Sequence, residues 1–167
     1  TVFALGGIFS NNLLLGVLLL SSLRRAVPAG ELHAWYQPKL DLHSRELVGA
    51  EALVRWLHPE LGWVSPGRFI PVAEESSLIL EVGAWVLEEA IRQVAQWRAQ
   101  GWDAPVVSIN VSARQFAHPG FGALLHTLLQ RHGLPPRAIE LELTETLLAS
   151  DQEDLPALLH RLHDAGV

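Results

Sequence analysis

The sequence predicts an α/β fold. Three observations carry that reading: strand-like and helix-like stretches alternate along the chain, one long helix is amphipathic, and three strand segments each carry polar residues on one face and apolar residues on the other. At 167 residues the chain is long enough for one domain with a sizeable core, since a domain of this size buries roughly 70% of its unfolded surface. A hydrophobic fraction of 49% and a charged fraction of 18% mark a folded rather than a disordered chain.

The first element is apolar. Phe3 to Leu20 carries no charge and as a helix would extend about 27 Å, the least that crosses a bilayer core. Arg24 and Arg25 follow directly, so a spanning helix would leave the rest in the cytoplasm. The expectation is then a cytoplasmic domain anchored to the inner membrane. Asn11 and Asn12 interrupt the run and Gly6, Gly7 and Gly16 weaken it, so a packed or dimer-forming helix fits the same residues. A signal peptide fits less well, because no basic segment precedes the run. Val27-Pro28-Ala29-Gly30 reads as a connection, dividing an apolar helix (residues 1–26) from a globular domain (residues 27–167).

Strands are expected over 35–40 and 46–56, followed by a long helix over about 78–100. Ile79, Val82, Val86, Ala90, Val94 and Trp97 recur there at three- and four-residue steps, and Gly101 supplies the stop. A strand over 106–112, a helix near 121–131 and a strand over 139–144 complete a βαβα grammar behind a hairpin-like opening.

Period-two counting places the polar residues of these strands. Glu51 and Arg55 oppose Val48, Ala50, Ala52 and Val54; Ser108, Asn110 and Ser112 oppose Val107, Ile109 and Val111; Glu140, Glu142 and Thr144 oppose Ile139, Leu141 and Leu143. If the sheet is parallel and covered on both faces, those polar groups need partners, and an oxygen-ligated metal is one. Two glutamates and an amide oxygen are hard donors suited to Mg²⁺ or Mn²⁺, ions that polarise phosphates and activate water. If the sheet is antiparallel with one solvated face, the same residues are simply exposed. Periodicity alone leaves both readings standing.

The formal net charge of −6 opposes a groove for DNA or RNA polymers. It is compatible with a small phosphate ester, whose field problem a carboxylate-held cation reverses. The absence of cysteine removes disulfide scaffolds, thiolate zinc sites and cysteine nucleophiles. His160 and His163 share a helix face without a completing ligand set for zinc, and the remaining histidines are scattered. Asn110-Val111-Ser112 matches a glycosylation sequon but falls in an expected buried strand.

Five ordered blocks then carry a resemblance: Tyr36-Gln37-Pro38-Lys39, the run from Gly49 through Glu51-Ala52-Leu53 to Trp56, the run from Pro66 to Glu75, Ser108 to Ser112, and Glu142-Leu143-Thr144-Glu145. Together they resemble the EAL-domain family. The resemblance implies a TIM-barrel-like (β/α)8 fold with a modified first strand, its site at the C-terminal strand ends. It implies a phosphodiesterase that uses Mg²⁺ or Mn²⁺ to hydrolyse cyclic di-GMP to the linear dinucleotide pGpG in bacterial signalling. Carried over by motif, Glu51, Asn110 and Glu142 are the metal ligands, Glu51 also counting as catalytic. Gln37, Leu53 and Arg55 contact substrate, Arg55 with a fork suited to phosphate. Glu145 orders a loop and supports the metal from behind. Implied partners are cyclic di-GMP and a second copy of the chain. The alternatives are a catalytically silent cyclic di-GMP receptor and a membrane-tethered dimerisation module.

One departure from the family pattern, Ser77 in place of a usual glycine, is a mild change in a surface turn. Beyond Val167 the family carries a strand ending in paired aspartates, a later lysine and a glutamate that assists the attacking water. The expectation is therefore that these residues hold one side of a site, are inactive by themselves, and are completed by further chain or by another chain.

Overall fold

The computed structural model describes residues 2–102, 106–143, 159–160 and 162–163, with side chains from Gly16 onward. The chain divides into two compact units, Thr1–His33 with Arg55–Val82, and Ala34–Val54 with Gly83–Val167.

In the first unit, helix α1 (Val2–Ala29) buries Leu19, Leu23 and Ala26, while Val17 and Leu18 are exposed. Those buried positions lie at four- and three-residue steps, one helix face, and α1 meets helix α2 (Pro66–Glu74). The helix runs through Pro28 in its final turn; this proline lacks the N–H that would bond the carbonyl four residues back, so the helix stops near it. Gly30 then ends it at φ 71°, the left-handed conformation glycine adopts without a Cβ penalty. Among the described residues no helix is long and apolar enough to cross a membrane. The anchor expected of Phe3 to Leu20 thus gains no support.

Trp56 and Phe69, both fully buried, pack edge to face at 5.6 Å in this unit. Trp56 also donates its indole N–H to Glu31 Oε2 at 2.9 Å, which satisfies the one polar atom of a buried ring. The last residues of strand β2 (Leu47–His58) turn back antiparallel on β3 (Gly62–Val64), with Trp56 opposite Val64. His58 Nδ1 accepts the Glu60 and Leu61 amides in that turn, so this histidine is a structural cap.

In the second unit, β1 (Leu32–Leu40) leads through a tight turn at 41–46 into β2. Asp41 Oδ1 accepts the His43 and Ser44 amides at 2.9 and 2.8 Å, and Arg45 sits at φ 58°. The strand order is β1-β2-β4-β5, with β4 at Val106–Val111 and β5 at Ile139–Leu143. β2, β4 and β5 are parallel, with Glu51 opposite Ser108, Ser108 opposite Glu140 and Asn110 opposite Glu142. Helix α3 (Leu78–Ala99) fills the crossover before β4, and α4 (Ala113–Phe116), α5 (Phe121–Arg131) and a 3₁₀ turn (Pro136–Ala138) fill the next.

Val86, Leu87, Ala90, Ile91 and Val94 of α3 are buried, as are Val107, Ile109 and Val111 of β4. Each such Val, Leu or Ile side chain contributes about 1.5–3 kcal/mol by leaving water. Tyr36 of β1 stacks edge to face on Trp97 at 4.9 Å, with its hydroxyl 3.5 Å from the Glu89 carbonyl. One face of this sheet is therefore apolar and helix-covered. Its other face carries Gln37, Lys39, Glu51, Leu53, Ser108, Asn110, Glu140 and Glu142 by strand alternation.

Candidate functional site

The strands β2, β4 and β5 are parallel, while Gln37, Asn110 and Glu140 on the polar side of the sheet are exposed, so pairing direction follows one of the two expectations and exposure the other. Parallel neighbours at about 4.8 Å bring equivalent levels of three strands side by side, so the polar residues at those levels meet. Asn110 Nδ2 donates to Glu51 Oε1 at 2.7 Å, joining β4 to β2. The amide spends its donor on Glu51 and keeps its oxygen, the atom a hard cation takes. Asn110 is exposed and Glu51 half-buried, which leaves this pair open to solvent on the polar face.

Glu142 lies opposite Asn110 on β5. Its Oε1 accepts from Lys39 Nζ at 2.5 Å, and the same ammonium reaches Ser108 Oγ at 2.5 Å. Ser108, 1% exposed, donates in turn to Glu140 Oε2 at 3.3 Å. The hydrogen bond from Lys39 holds the Glu142 carboxyl below the usual carboxylate range, and that to Glu142 raises the Lys39 ammonium. Glu140 and Glu51 add to the rise.

Lys39 is the residue that sequence reasoning passed over. It lies in the first quoted block, and its odd-numbered parity with Gln37 would have set it on the polar face. What the sequence could not supply is its destination three strands away. The lysine stem passes over Gly49, where a Cβ would touch Lys39 Cδ at an ordinary 3.5 Å but press on the Val106 carbonyl at 3.1 Å, so the close approach glycine permits is that of the β4 backbone.

Of the expected substrate contacts, Gln37 is exposed on the face of β1 that carries Lys39, and Leu53 is half-buried two residues after Glu51. Arg55, also half-buried, belongs to the first unit. Glu145 lies outside the described residues. Among the described residues no three His, Asp or Glu side chains are grouped to hold a metal, and His160 and His163 form no such group. The candidate ligands are instead two carboxylates and one amide.

That donor set fits a hard divalent ion in kind. Its carboxylates already draw the nearest cation, the Lys39 ammonium, into contact with Glu142.

A sheet of parallel strands β2, β4 and β5, with acid, amide and acid on one polar face, defines an α/β domain. The EAL domain model matches residues 20–167, and the chain belongs to that family. It is 40% identical over 149 residues to the bifunctional diguanylate cyclase/cyclic di-GMP phosphodiesterase MucR of Pseudomonas aeruginosa, covering 89% of this chain and 22% of that protein. An uncharacterised protein of Mycobacterium tuberculosis is 43% identical over 150 residues, 89% of this chain and 49% of the relative. The solved MucR phosphodiesterase in complex with c-di-GMP superposes with a TM-score of 0.85 at 39% identity, over 90% of this chain and 61% of that one. The EAL enzyme Bd1971 bound to cAMP and cyclic di-GMP gives 0.85 at 32% identity, over 98% of this chain and 45% of that chain. The chain thus spans less than two thirds of the length of each.

Proposed function

We propose that this chain supplies one side of the active site of a cyclic di-GMP phosphodiesterase, within a domain that closes as a (β/α)8 barrel. The observation that carries the reading is the convergence of Glu51, Asn110 and Glu142 from three parallel strands onto one polar face, with Asn110 hydrogen-bonded to Glu51 at 2.7 Å. Relatives named as cyclic di-GMP phosphodiesterases support the substrate.

Glu51, the Asn110 amide oxygen and Glu142 would hold Mg²⁺ or Mn²⁺. The ion, when bound, polarises the scissile phosphate and lowers the pKa of water so that hydroxide forms near neutrality. The chain's own residues then hold the geometry. The Glu51–Asn110 hydrogen bond fixes two donors relative to each other before any ion arrives, which reduces the reorganisation binding requires. Arg55 offers two parallel donors to a phosphate, and Gln37 and Leu53 contact the remainder of the dinucleotide. Glu145 would act by ordering a loop that supports the metal ligands. Phosphodiester cleavage at one bond releases linear pGpG.

The test is incubation of the intact protein with Mn²⁺ and cyclic di-GMP, followed by chromatographic separation of nucleotides. Metal-dependent appearance of pGpG is expected. Saturable binding of cyclic di-GMP without product would give the receptor reading instead.

A further inference from the structure

The placement of Lys39 carries an inference that rests on the metal-dependent reading above. Its ammonium touches Glu142 Oε1 and Ser108 Oγ, both at 2.5 Å, from a strand on the far side of β2. Glu51 and Glu140 lie close enough to act on its charge. The side chain is still 39% exposed, so nothing buries it in that position. Its stem passes over Gly49, within 3.5 Å of where a Cβ would stand.

We infer that Lys39 is a positioning residue that stands in for the divalent ion: its ammonium holds Glu142 beside Ser108 and is displaced when the ion takes the carboxylate. A monovalent and a divalent cation cannot both sit against the same carboxylate oxygen without mutual repulsion. The carboxylates therefore stay compensated while the ion is away, and the ion binds more weakly than the donor set alone would allow. Lys39 thus sets the concentration range in which the site loads, and it does so through charge rather than shape.

The test is Mn²⁺ binding to the intact protein, followed by the electron paramagnetic resonance signal of the free ion, which needs no turnover. Lys39→Met and Lys39→Gln should each tighten Mn²⁺ binding roughly tenfold at low salt, the size expected from removing one charge beside a divalent ion in a partly solvated site. Lys39→Arg, which keeps the charge, should stay within about threefold of wild type. Affinities within twofold of wild type in both neutral variants, or weaker, would overturn the inference. So would equal tightening in Lys39→Arg, because shape would then account for the change. Glu142→Gln separates this proposal from the one beneath it. If Glu142→Gln weakens binding while Lys39→Met changes nothing, only the role of Lys39 falls. If wild type binds no Mn²⁺, or Glu142→Gln binds it unchanged, the metal reading falls and the role of Lys39 with it.

Discussion

Replacing Gly83 by alanine should destabilise the chain, although the same change in most helix interiors stabilises it. Gly83 is buried in α3, and a Cβ built there would overlap Nε2 and Cδ of Gln115 and lie 2.8 Å from its Oε1. Gln115 is 5% exposed and completes a capping box at the start of α4. Its Oε1 accepts from the Ser112 amide at 3.2 Å and the Ser112 hydroxyl at 3.0 Å. The amide is the end of a flexible side chain and can swing away, so the cost is the hydrogen bonds it gives up. Two such bonds are worth about 1 kcal/mol each, and a buried amide left without them adds about 1 kcal/mol. Relief of glycine's backbone entropy returns about 0.5–1 kcal/mol. The net expectation is destabilisation of about 2 kcal/mol. Urea denaturation followed by circular dichroism measures it, and a double-mutant cycle with Gln115→Ala isolates the cause. On the Gln115→Ala background, Gly83→Ala should instead stabilise by about 0.5–1 kcal/mol. A stabilising Gly83→Ala on both backgrounds would refute the reasoning. The effect bears on function because Ser112 follows Asn110 by two residues, so the box fixes the end of the strand that presents the amide.

Three further outcomes follow from local structure. Burial, then Glu89, raises the Tyr36 phenol above its ordinary 10.0, so its stabilising contribution is complete below that value and falls as pH rises past it; the stability gap between wild type and Tyr36→Phe should change between pH 9 and 11 in urea titrations, with wild type losing ground. Absorbance of this single tyrosine should show late ionisation in the folded chain. Arg45→Gly should stabilise by about 0.5 kcal/mol, since Arg45 sits at φ 58°, a conformation that costs a side-chain-bearing residue about 1 kcal/mol but glycine little. Phe69→Ala should cost about 3–5 kcal/mol, because Phe69 is fully buried against Trp56; thermal unfolding followed by circular dichroism checks it.

The strongly periodic elements were legible in the sequence. The 78–100 helix is α3 at Leu78–Ala99, and β2, β4 and β5 fall within two residues of their expected limits, while β1 begins three residues before the expected 35. Strand parity also put Glu51, Asn110 and Glu142 on the polar faces, because a period of two survives any sheet arrangement. Whether those faces pointed at one another depended on parallel pairing, which only the register of β2, β4 and β5 supplies. Helix α2 was not foreseen, since Pro66 and Pro71 disguise it, although Pro66 is well placed at its first turn. Strand β3, three residues long, is too short to show a period. Trp56 and Phe69 illustrate a different limit: both stand in blocks that carry the family resemblance, and both are core residues rather than site residues. Lys39 reaches Glu142 across 103 positions of sequence, a pairing no local pattern encodes.

The most direct test of the central claim is the rate of cyclic di-GMP hydrolysis by the intact protein with Mn²⁺, compared between wild type and Glu51→Ala. Glu51 is half-buried, with the Asn110 amide as its partner, so its loss should leave the fold standing while removing a ligand. The account predicts at least a 100-fold loss of turnover, on the order of 3 kcal/mol in the barrier. Equal rates in the two proteins, with the variant folded, would contradict it.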